Sequence, residues 1–194
     1  NIVLMGSGEP LDNFCNVERF FDIINHEKGR HVSLRNITIS TCGIVPGIYA
    51  LAEIEIPVTL SISLHSPFDK KRAEIMPIAK IYKLDELFKA LKFYSEKTGR
   101  RITFEYTLIE NENDRKEDVT EIARLMKGML SHVNLIPLNP IKEFEKGRPE
   151  KSKVFEFQQK LLAYGIPTTI RREMGGDISA SCGQLRRSMI VKKI

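Results

Sequence analysis

Short strand-like runs recur along this chain, and helical patterns separate them. The predicted strands are, in chain order, residues 2–5, 37–40, 58–63, 102–108, 133–138 and 168–171. The second, third and fourth of these alternate apolar and small polar side chains with a period of two, which is typical of β-strands. A regular succession of strands and helices predicts an α/β fold with a parallel sheet, either open and doubly wound or curved into a barrel.

Three amphipathic helices are predicted from apolar residues that recur on one helical face. The apolar residues are Leu84, Leu87, Phe88, Leu91 and Tyr94 in the first, Val119, Ile122, Met126 and Met129 in the second, and Val154, Phe157, Leu161 and Tyr164 in the third. Glycine commonly ends helices, so we expect Gly99 and Gly165 to end the first and the third. Ser152 is the predicted N-cap of the third helix. Asp114 with Glu117 resembles a capping box before the second.

The second face of the predicted strands is polar, which restricts the kind of sheet. This face carries Thr38, Ser40, Thr59, Ser61, Ser63, Thr103, Glu105 and Thr107. Parallel strands that are buried on both faces usually read as continuous apolar runs. A polar face requires water or a polar ligand. A curved sheet that holds a polar cofactor on its inner side therefore fits better than a barrel with a fully packed interior.

Length and composition predict one domain over residues 1–194. A chain of 194 residues with 42% hydrophobic residues can bury one sizeable core. No run approaches the ~20 apolar residues of a membrane helix, and the first apolar run is too short for a secretory signal. We therefore expect a soluble, cytoplasmic protein with no membrane partner. Because the chain opens on Asn1 directly before an apolar run, we also expect that further residues precede it.

Charge and cysteine usage leave several functions open. A net charge of +5 favours a polyanionic partner but is shared by many proteins that bind none. The three cysteines lie too far apart for a local CxxC metal site. We interpret Cys15 and Cys42 as small packing residues. Cys182 follows a Gly-Gly pair outside any strand or helix, where it is either an incidental thiol or a nucleophile or carrier that reaches into a site.

Small polar and charged residues follow four of the predicted strands. In α/β folds, ligands bind outside the carboxyl ends of the strands. Gly8 and Glu9 follow the first strand, where the glycine allows close backbone approach and the carboxylate could hold an ammonium group. The alternative is an ordinary tight turn. Ser40 and Asn139 lie at the ends of two further strands.

The segment Ser63-Leu64-His65 ends the third predicted strand, with Ser63 and His65 on the polar face and Leu64 on the apolar face. A hydrogen-bonding site for a sugar or a carboxylate is one interpretation. A surface or structural histidine is the other, and it is the commoner situation for a lone histidine in a loop.

Taken in order, five motifs resemble the RlmN family of dual-specificity RNA methyltransferases, which belong to the radical S-adenosylmethionine (SAM) superfamily. The motifs are GSGEP, TISTCG, SISLHSP, NLIPLNP and DISASCGQLRR, and they are spread over nearly the whole length of the chain. The related Cfr-type enzymes share most of them, but Pro10 and the Pro137-Leu138-Asn139 sequence look more like RlmN. The resemblance implies a partial TIM-like (β/α)6 barrel, which we expect to lack its first strand here.

The resemblance also implies a site for SAM. Gly8 and Glu9 match residues that meet the methionyl amino group, and the remaining matched contacts are Ser40, Ser63, Leu64, His65 and Asn139. Cys182 matches the methyl-carrying cysteine, and Met5 matches a methionine that supports its chemistry. The implied reaction first methylates Cys182 from one SAM. A radical from a second SAM then activates that methyl group for addition to C2 of an adenine.

This reaction requires a [4Fe–4S] cluster held by a CxxxCxxC motif, and no pair of the three cysteines has that spacing. We therefore expect the cluster ligands, a resolving cysteine and an RNA-binding domain to lie upstream, and this chain to be inactive alone. The implied partners are 23S rRNA, tRNA and an electron donor such as flavodoxin. The alternatives are a Cfr-type adenine-C8 methyltransferase, a radical SAM enzyme acting on another substrate and a non-catalytic nucleotide- or RNA-binding barrel.

Overall fold

A computed structural model describes residues 1–5, 8–138, 147 and 149–172. The strands are β1 Ile2–Leu4, β2 Ile37–Thr41, β3 Thr59–Ser63, β4 Ile102–Leu108, β5 Ser131–Pro137 and β6 Thr168–Ile170. The helices are α1 Phe14–Asn25, α2 Val45–Glu53, α3 Asp69–Ile75, α4 Leu84–Thr98, α5 Lys116–Met126 and α6 Lys151–Ala163. Three short 3-10 helices, Pro10–Asn13, Leu34–Asn36 and Pro77–Lys80, complete the regular structure within the described residues.

The six strands form one parallel sheet in the order β1-β2-β3-β4-β5-β6. Spatial order follows chain order because each helical connection carries the chain back to the amino ends of the strands and places the next strand beside the previous one. Over the described residues the sheet is open, with β1 and β6 as its outermost strands. Because all strands run in the same direction, their carboxyl ends lie along one side of the sheet, which we call its carboxyl edge.

The core lies between the helices and one face of the sheet. Alternate residues of the strands, such as Ile39, Leu60 and Phe104, are fully buried there against helix residues such as Leu87. Aromatic rings add packing in two places: Phe88 stacks on Phe104 at 5.4 Å between centroids, and Tyr106 stacks on Phe157 at 5.7 Å. The helices pack against this one face of the sheet. The polar residues of the strands lie on the other face.

We call that other face the polar face. Its residues are Thr38, Ser40, Thr59, Ser61, Ser63, Thr103, Glu105, Thr107, His132, Asn134 and Thr169. The register places Ser63 next to Glu105, and Glu105 next to Asn134. The predicted strands and the predicted polar face are therefore confirmed.

The ends of α4 and α6 agree only in part with the sequence predictions. Gly99 ends α4 in the left-handed conformation with φ of 63°, as predicted. Ser152 lies inside α6, whose N-cap is Glu150, and Tyr164 is 55% exposed beyond the end of that helix. The N-cap prediction was wrong because the helix already begins at Lys151. The prediction for Tyr164 was wrong because the apolar spacing continues past the last helical residue, Ala163.

The capping box of α5 is one residue later than predicted. The backbone N–H of Arg115 donates to Asp118 Oδ2 at 3.1 Å, so Arg115 is the N-cap and Asp118 the third helical residue. Asp114 and Glu117 do not form it. Met129, predicted on this helix, follows its end at Met126.

Cys15 is exposed on α1, so its interpretation as a packing residue was wrong. Within the described part of the chain, no helix is both long and apolar enough to span a membrane.

Candidate functional site

The Glu9 carboxylate joins the loops that follow β1 and β2. Its Oε1 accepts a hydrogen bond from the backbone N–H of Leu11 at 3.1 Å, which caps the first 3-10 helix. Its Oε2 accepts from the backbone N–H of Cys42 at 2.8 Å. A carboxylate has about four acceptor positions, so both oxygens keep capacity for another donor. The carboxylate is thus a fixed acceptor at the carboxyl ends of two neighbouring strands.

Cys42 binds Glu9 through its backbone N–H, and its thiol lies beside the same carboxylate. Burial, and then the adjacent Glu9 carboxylate, raise the pKa of the Cys42 thiol to about 12. The thiolate is the reactive form of cysteine, so this thiol is protonated and unreactive at neutral pH. This agrees with its interpretation as a structural residue.

The three residues after β3 face different surroundings. Ser63 is partly exposed on the polar face. Leu64 is fully buried in the core, so its side chain cannot contact a ligand on the polar face. The Leu64 N–H donates to the carbonyl of Glu105 at 3.0 Å, which continues the β3–β4 ladder by one residue. Any ligand contact from Leu64 is therefore made by its main chain.

His65 has a left-handed backbone with φ of 54°, which is uncommon for a residue other than glycine. Its ring Nδ1 accepts from the backbone N–H of Thr107 at 3.0 Å. The Asn113 side-chain amide donates to the carbonyl of His65 at 2.7 Å and so holds this turn.

Burial, and then the charge of Arg72, lower the pKa of His65 to about 4. The ring is therefore neutral at pH 7. Because Nδ1 is an acceptor, the single ring proton lies on Nε2. His65 thus offers a directed N–H donor at the carboxyl end of β3.

Glu105 anchors a hydrogen-bonded network on the polar face. Its carboxylate accepts from the Ser61 hydroxyl at 3.0 Å and from the Asn134 amide at 2.9 Å. The Thr169 hydroxyl lies 3.4 Å from Asn134 Oδ1 and 3.2 Å from His132 Nε2. The network crosses four strands and fixes the polar groups before any ligand binds.

The remaining predicted site residues are distributed around this edge. Met5 is 38% exposed immediately after β1. Gly8 is exposed, and a Cβ built there would meet nothing within 4 Å, so the loop leaves open space. Ser40 pairs with Ser61 in the register of β2 and β3. Asn139 and Cys182 lie outside the described residues.

Comparison with known proteins decides the family. The Radical SAM superfamily profile matches residues 1–126. The chain belongs to the radical SAM superfamily. Membership implies SAM and an iron–sulfur cluster as cofactors in general.

Two curated relatives of the chain carry the same name. The chain is 55% identical over 193 residues to the probable dual-specificity RNA methyltransferase RlmN of Clostridium perfringens, covering 100% of this chain and 56% of that protein. It is 51% identical over 187 residues to the protein of the same name from Clostridioides difficile, covering 96% and 54%. The predicted resemblance to RlmN is confirmed. The chain spans about half the length of these relatives.

Solved structures confirm the predicted fold class. A crystal structure of a radical SAM methyltransferase from Sphaerobacter thermophilus matches with a TM-score of 0.90 and 46% identity, over 95% of this chain and 54% of that one. A domain of a pyruvate-formate lyase-activating enzyme from Bacteroides vulgatus matches with a TM-score of 0.63 and 16% identity, over 88% and 98%. The second match shows the fold alone.

The described residues do not fit the iron–sulfur cluster of this superfamily. Among them, no group of three or more His, Cys, Asp or Glu side chains could hold a metal ion. Cys42 is protonated, and Cys15 is exposed on α1. These side chains therefore supply no ligand set for the cluster.

Sequence patterns missed two buried residues of this site. Arg72 is fully buried, although the Asp69-Lys70-Lys71-Arg72 run looks like a solvated charged face. Asn113 is 3% exposed in a polar loop that has no periodic signal. Glu105 was recognisable in the sequence, because a carboxylate inside a strand is unusual, but its hydrogen bonds were not.

Two cavities lie away from this site. One of about 510 Å³ lies at the amino ends of the strands and is lined by Glu18, Phe21, Asp22, Asn25, His26, Leu34, Ile54 and Ile56. The other, of about 240 Å³, is lined by Asn111, Asp114, Lys153, Glu156, Phe157 and Lys160. None of the predicted site residues that the structure describes lines either of them.

Proposed function

We propose that this chain is the SAM-binding part of an RlmN-type RNA methyltransferase, which methylates C2 of an adenosine in 23S rRNA and in tRNA through S-methylation of Cys182. The observation that carries the proposal is the match of essentially the whole chain, at 55% identity, to a protein named as such a methyltransferase. We further propose a cytoplasmic protein and an electron donor of the flavodoxin kind.

The described geometry supports a SAM site at the carboxyl edge of the sheet. SAM presents an ammonium group, a carboxylate and ribose hydroxyls. The fixed Glu9 carboxylate is suited to the ammonium group beside Gly8. The Nε2–H of His65 is suited to an acceptor on the ligand, and the hydroxyls of Ser40 and Ser63 supply further polar contacts.

When bound, SAM would supply the methyl group. This chain's own contribution is to hold SAM and to present the Cys182 thiol. We propose that Met5 supports the thiol chemistry and that Asn139 completes the SAM contacts. A carrier thiol suits the reaction because the same sulfur must meet SAM and then the base.

The test uses the complete gene product, reconstituted anaerobically with iron and sulfide and supplied with SAM, reductant and an rRNA fragment. Wild type, Cys182→Ala and Cys15→Ala are compared, the last being a matched control because Cys15 is exposed on α1. Digested RNA is analysed by mass spectrometry. We expect 2-methyladenosine from wild type and Cys15→Ala and none from Cys182→Ala.

Each contrary result has a distinct meaning. Product from Cys182→Ala would refute the cysteine-carrier route. A methyl group on C8 would assign the chain to the Cfr type. If wild type gives no product and does not bind SAM, the proposed function is wrong.

The SAM site is tested separately by equilibrium dialysis with labelled SAM. Glu9→Gln removes the negative charge but keeps the size of the side chain, so we expect SAM binding to weaken by about tenfold, as for a lost charge-assisted hydrogen bond. Glu18→Gln is the control, because Glu18 is exposed on α1 and lines only the cavity at the opposite end. Equal affinities in the two variants would exclude Glu9 from the site.

A further inference from the structure

Arg72 is a fully buried cation at the carboxyl edge of the sheet. It lies on α3, and its relative exposure is 0%. A buried charge is expensive unless it is paired or well hydrogen-bonded. Among the described residues no carboxylate lies within ion-pair distance of Arg72, and its guanidinium is held by backbone carbonyls instead.

The guanidinium joins two loops of the candidate site. Its Nε donates to the carbonyl of Leu64 at 3.2 Å. Its Nη2 donates to the carbonyl of Ser63 at 3.1 Å and to that of Cys42 at 2.8 Å. The first two carbonyls end β3, and the third follows β2. One rigid planar group thus sets the separation of these two loops.

The third loop is attached through the same cysteine. The Cys42 carbonyl accepts from Arg72, while the Cys42 N–H donates to Glu9 Oε2. Arg72 and Glu9 therefore hold opposite sides of one residue's backbone. This chain of bonds runs from β3 through the β2 loop to the proposed ammonium acceptor after β1.

Local packing leaves the guanidinium little freedom. A Cβ built on Gly43 would lie 3.4 Å from Arg72 Nη2, so the loop after β2 is in van der Waals contact with the guanidinium. Asp69, one turn earlier on α3, accepts from the backbone N–H of Leu84 at 2.8 Å and ties α3 to the start of α4. Within the part of the chain that the structure describes, Nη1 is buried without a hydrogen-bond partner, a cost that a purely structural neutral residue would not carry.

We infer that Arg72 is a positioning residue for SAM: it fixes the relative placement of Glu9, Ser63 and His65 without touching the ligand. This inference rests on the proposed function, since it assigns these three loops to one SAM site. A lysine at this position keeps a positive charge but has no planar fork, so it cannot hold both loops in one geometry.

The test measures SAM affinity of the complete gene product by equilibrium dialysis, fitting the dissociation constant separately from the number of sites. We expect Arg72→Lys to raise the dissociation constant and the KM for SAM on the order of tenfold. The control is Tyr94→Phe, which also removes a buried donor to a backbone carbonyl, that of Val58 at the other end of β3. It should leave both constants unchanged.

Chemical rescue provides a second measurement. Guanidinium ion added to Arg72→Ala should restore SAM binding toward the wild-type value. It should not change the dissociation constant for SAM of Tyr94→Phe. If wild type itself does not bind SAM, the proposed function fails, and that outcome is distinct from failure of this inference.

The inference is overturned by unchanged SAM affinity in folded Arg72→Lys. It is also overturned if neither Arg72→Lys nor Arg72→Ala folds, because Arg72 would then be required for folding and not specifically for SAM binding.

Discussion

The two ends of β3 are held by side chains in different ways. At the amino end, the Tyr94 hydroxyl donates to the carbonyl of Val58 at 2.9 Å, and Arg100 donates to the Thr59 hydroxyl at 2.8 Å. At the carboxyl end, Arg72 and Asn113 bind backbone groups from several loops at once. At the amino end, Tyr94 fastens the strand to α4, and Arg100 fastens it to the segment before β2, where it also donates to the carbonyl of Arg35 at 3.4 Å. At the carboxyl end, buried side chains fasten several ligand-side loops to one another.

The difference shows how a parallel sheet divides stability from function. Loops carry backbone groups that the sheet ladder leaves unpaired, and these must find partners. At the carboxyl end those partners are buried side chains, so the loop geometry is set before a ligand binds. Variants at the carboxyl end should therefore alter both stability and SAM affinity, and variants at the amino end should alter stability alone.

The largest effect is expected for Asn113→Ala. Asn113 accepts from the N–H of Ile109 and donates to the carbonyls of His65 and Thr107, each at 2.7 Å. Its removal leaves three buried backbone groups without this partner, and we expect a loss of about 4 kcal/mol in the free energy of unfolding. Urea titration measures this loss, and dialysis should show weaker SAM binding.

The control for Asn113 is Asn16→Ala. The Asn16 amide makes an exposed hydrogen bond to Asn13 on the first turns of α1. Its removal should change stability by less than about 0.5 kcal/mol. Similar losses in the two variants would show that the carboxyl-end loops are not specially fastened.

His65 makes the carboxyl end sensitive to acid. Its pKa is about 4 in the folded chain against 6.5 for the ordinary group. The unfolded chain therefore binds more protons between these values, so stability is fully present above pH 6.5 and is lost as pH falls toward 4. The difference corresponds to about 3 kcal/mol.

Urea titrations of wild type and His65→Asn at pH 7.5, 6 and 4.5 isolate this contribution. Asparagine tolerates the left-handed backbone and does not titrate in this range. The wild-type curve should fall more steeply than that of the variant as pH decreases. Parallel curves would mean that the ring is already protonated or exposed in the native state.

Gly43→Ala tests how tightly the loop after β2 packs on Leu87 of α4, next to Arg72. Gly43 has φ of 102°, and an added Cβ would lie 3.2 Å from Leu87 Cδ1. We expect a loss of about 2 kcal/mol from backbone strain and crowding together. Gly128→Ala is the control, with φ of 75° and open space around its Cβ. It should lose about 1 kcal/mol from backbone strain alone, and the excess at Gly43 measures the crowding together with the larger strain of its φ.

The sheet could be predicted from sequence because its signals are local. The period-two runs and the Gly99 helix end depend on neighbouring residues, and both appear in the structure where expected. Superfamily membership was equally readable, since five motifs in one order carry it. Helix starts were less readable, because the α5 capping box depends on which of several acidic residues reaches the backbone.

The fastening of the loops could not be predicted because it depends on contacts between distant residues. Arg72 and Cys42 are 30 residues apart, and His65 and Asn113 are 48 apart. Nothing in a charged run or a polar loop distinguishes these buried residues from exposed ones. Leu64 is a further example. The sequence motif predicts a ligand contact at this position, but only the structure shows that the side chain is buried and that such a contact would have to come from the main chain.

The smallest effect is expected for Tyr94→Phe, and it tests the comparison most directly. The variant removes one buried hydroxyl that donates to Val58, leaves the ring packed in the core, and makes no change within the carboxyl-end loops. We expect a loss of about 1 kcal/mol in the free energy of unfolding and no change in SAM affinity. Urea titration and dialysis on the same preparation measure both. A variant of the amino end that weakened SAM binding as much as Asn113→Ala would show that the whole sheet, and not its carboxyl-end loops, sets the geometry of the site.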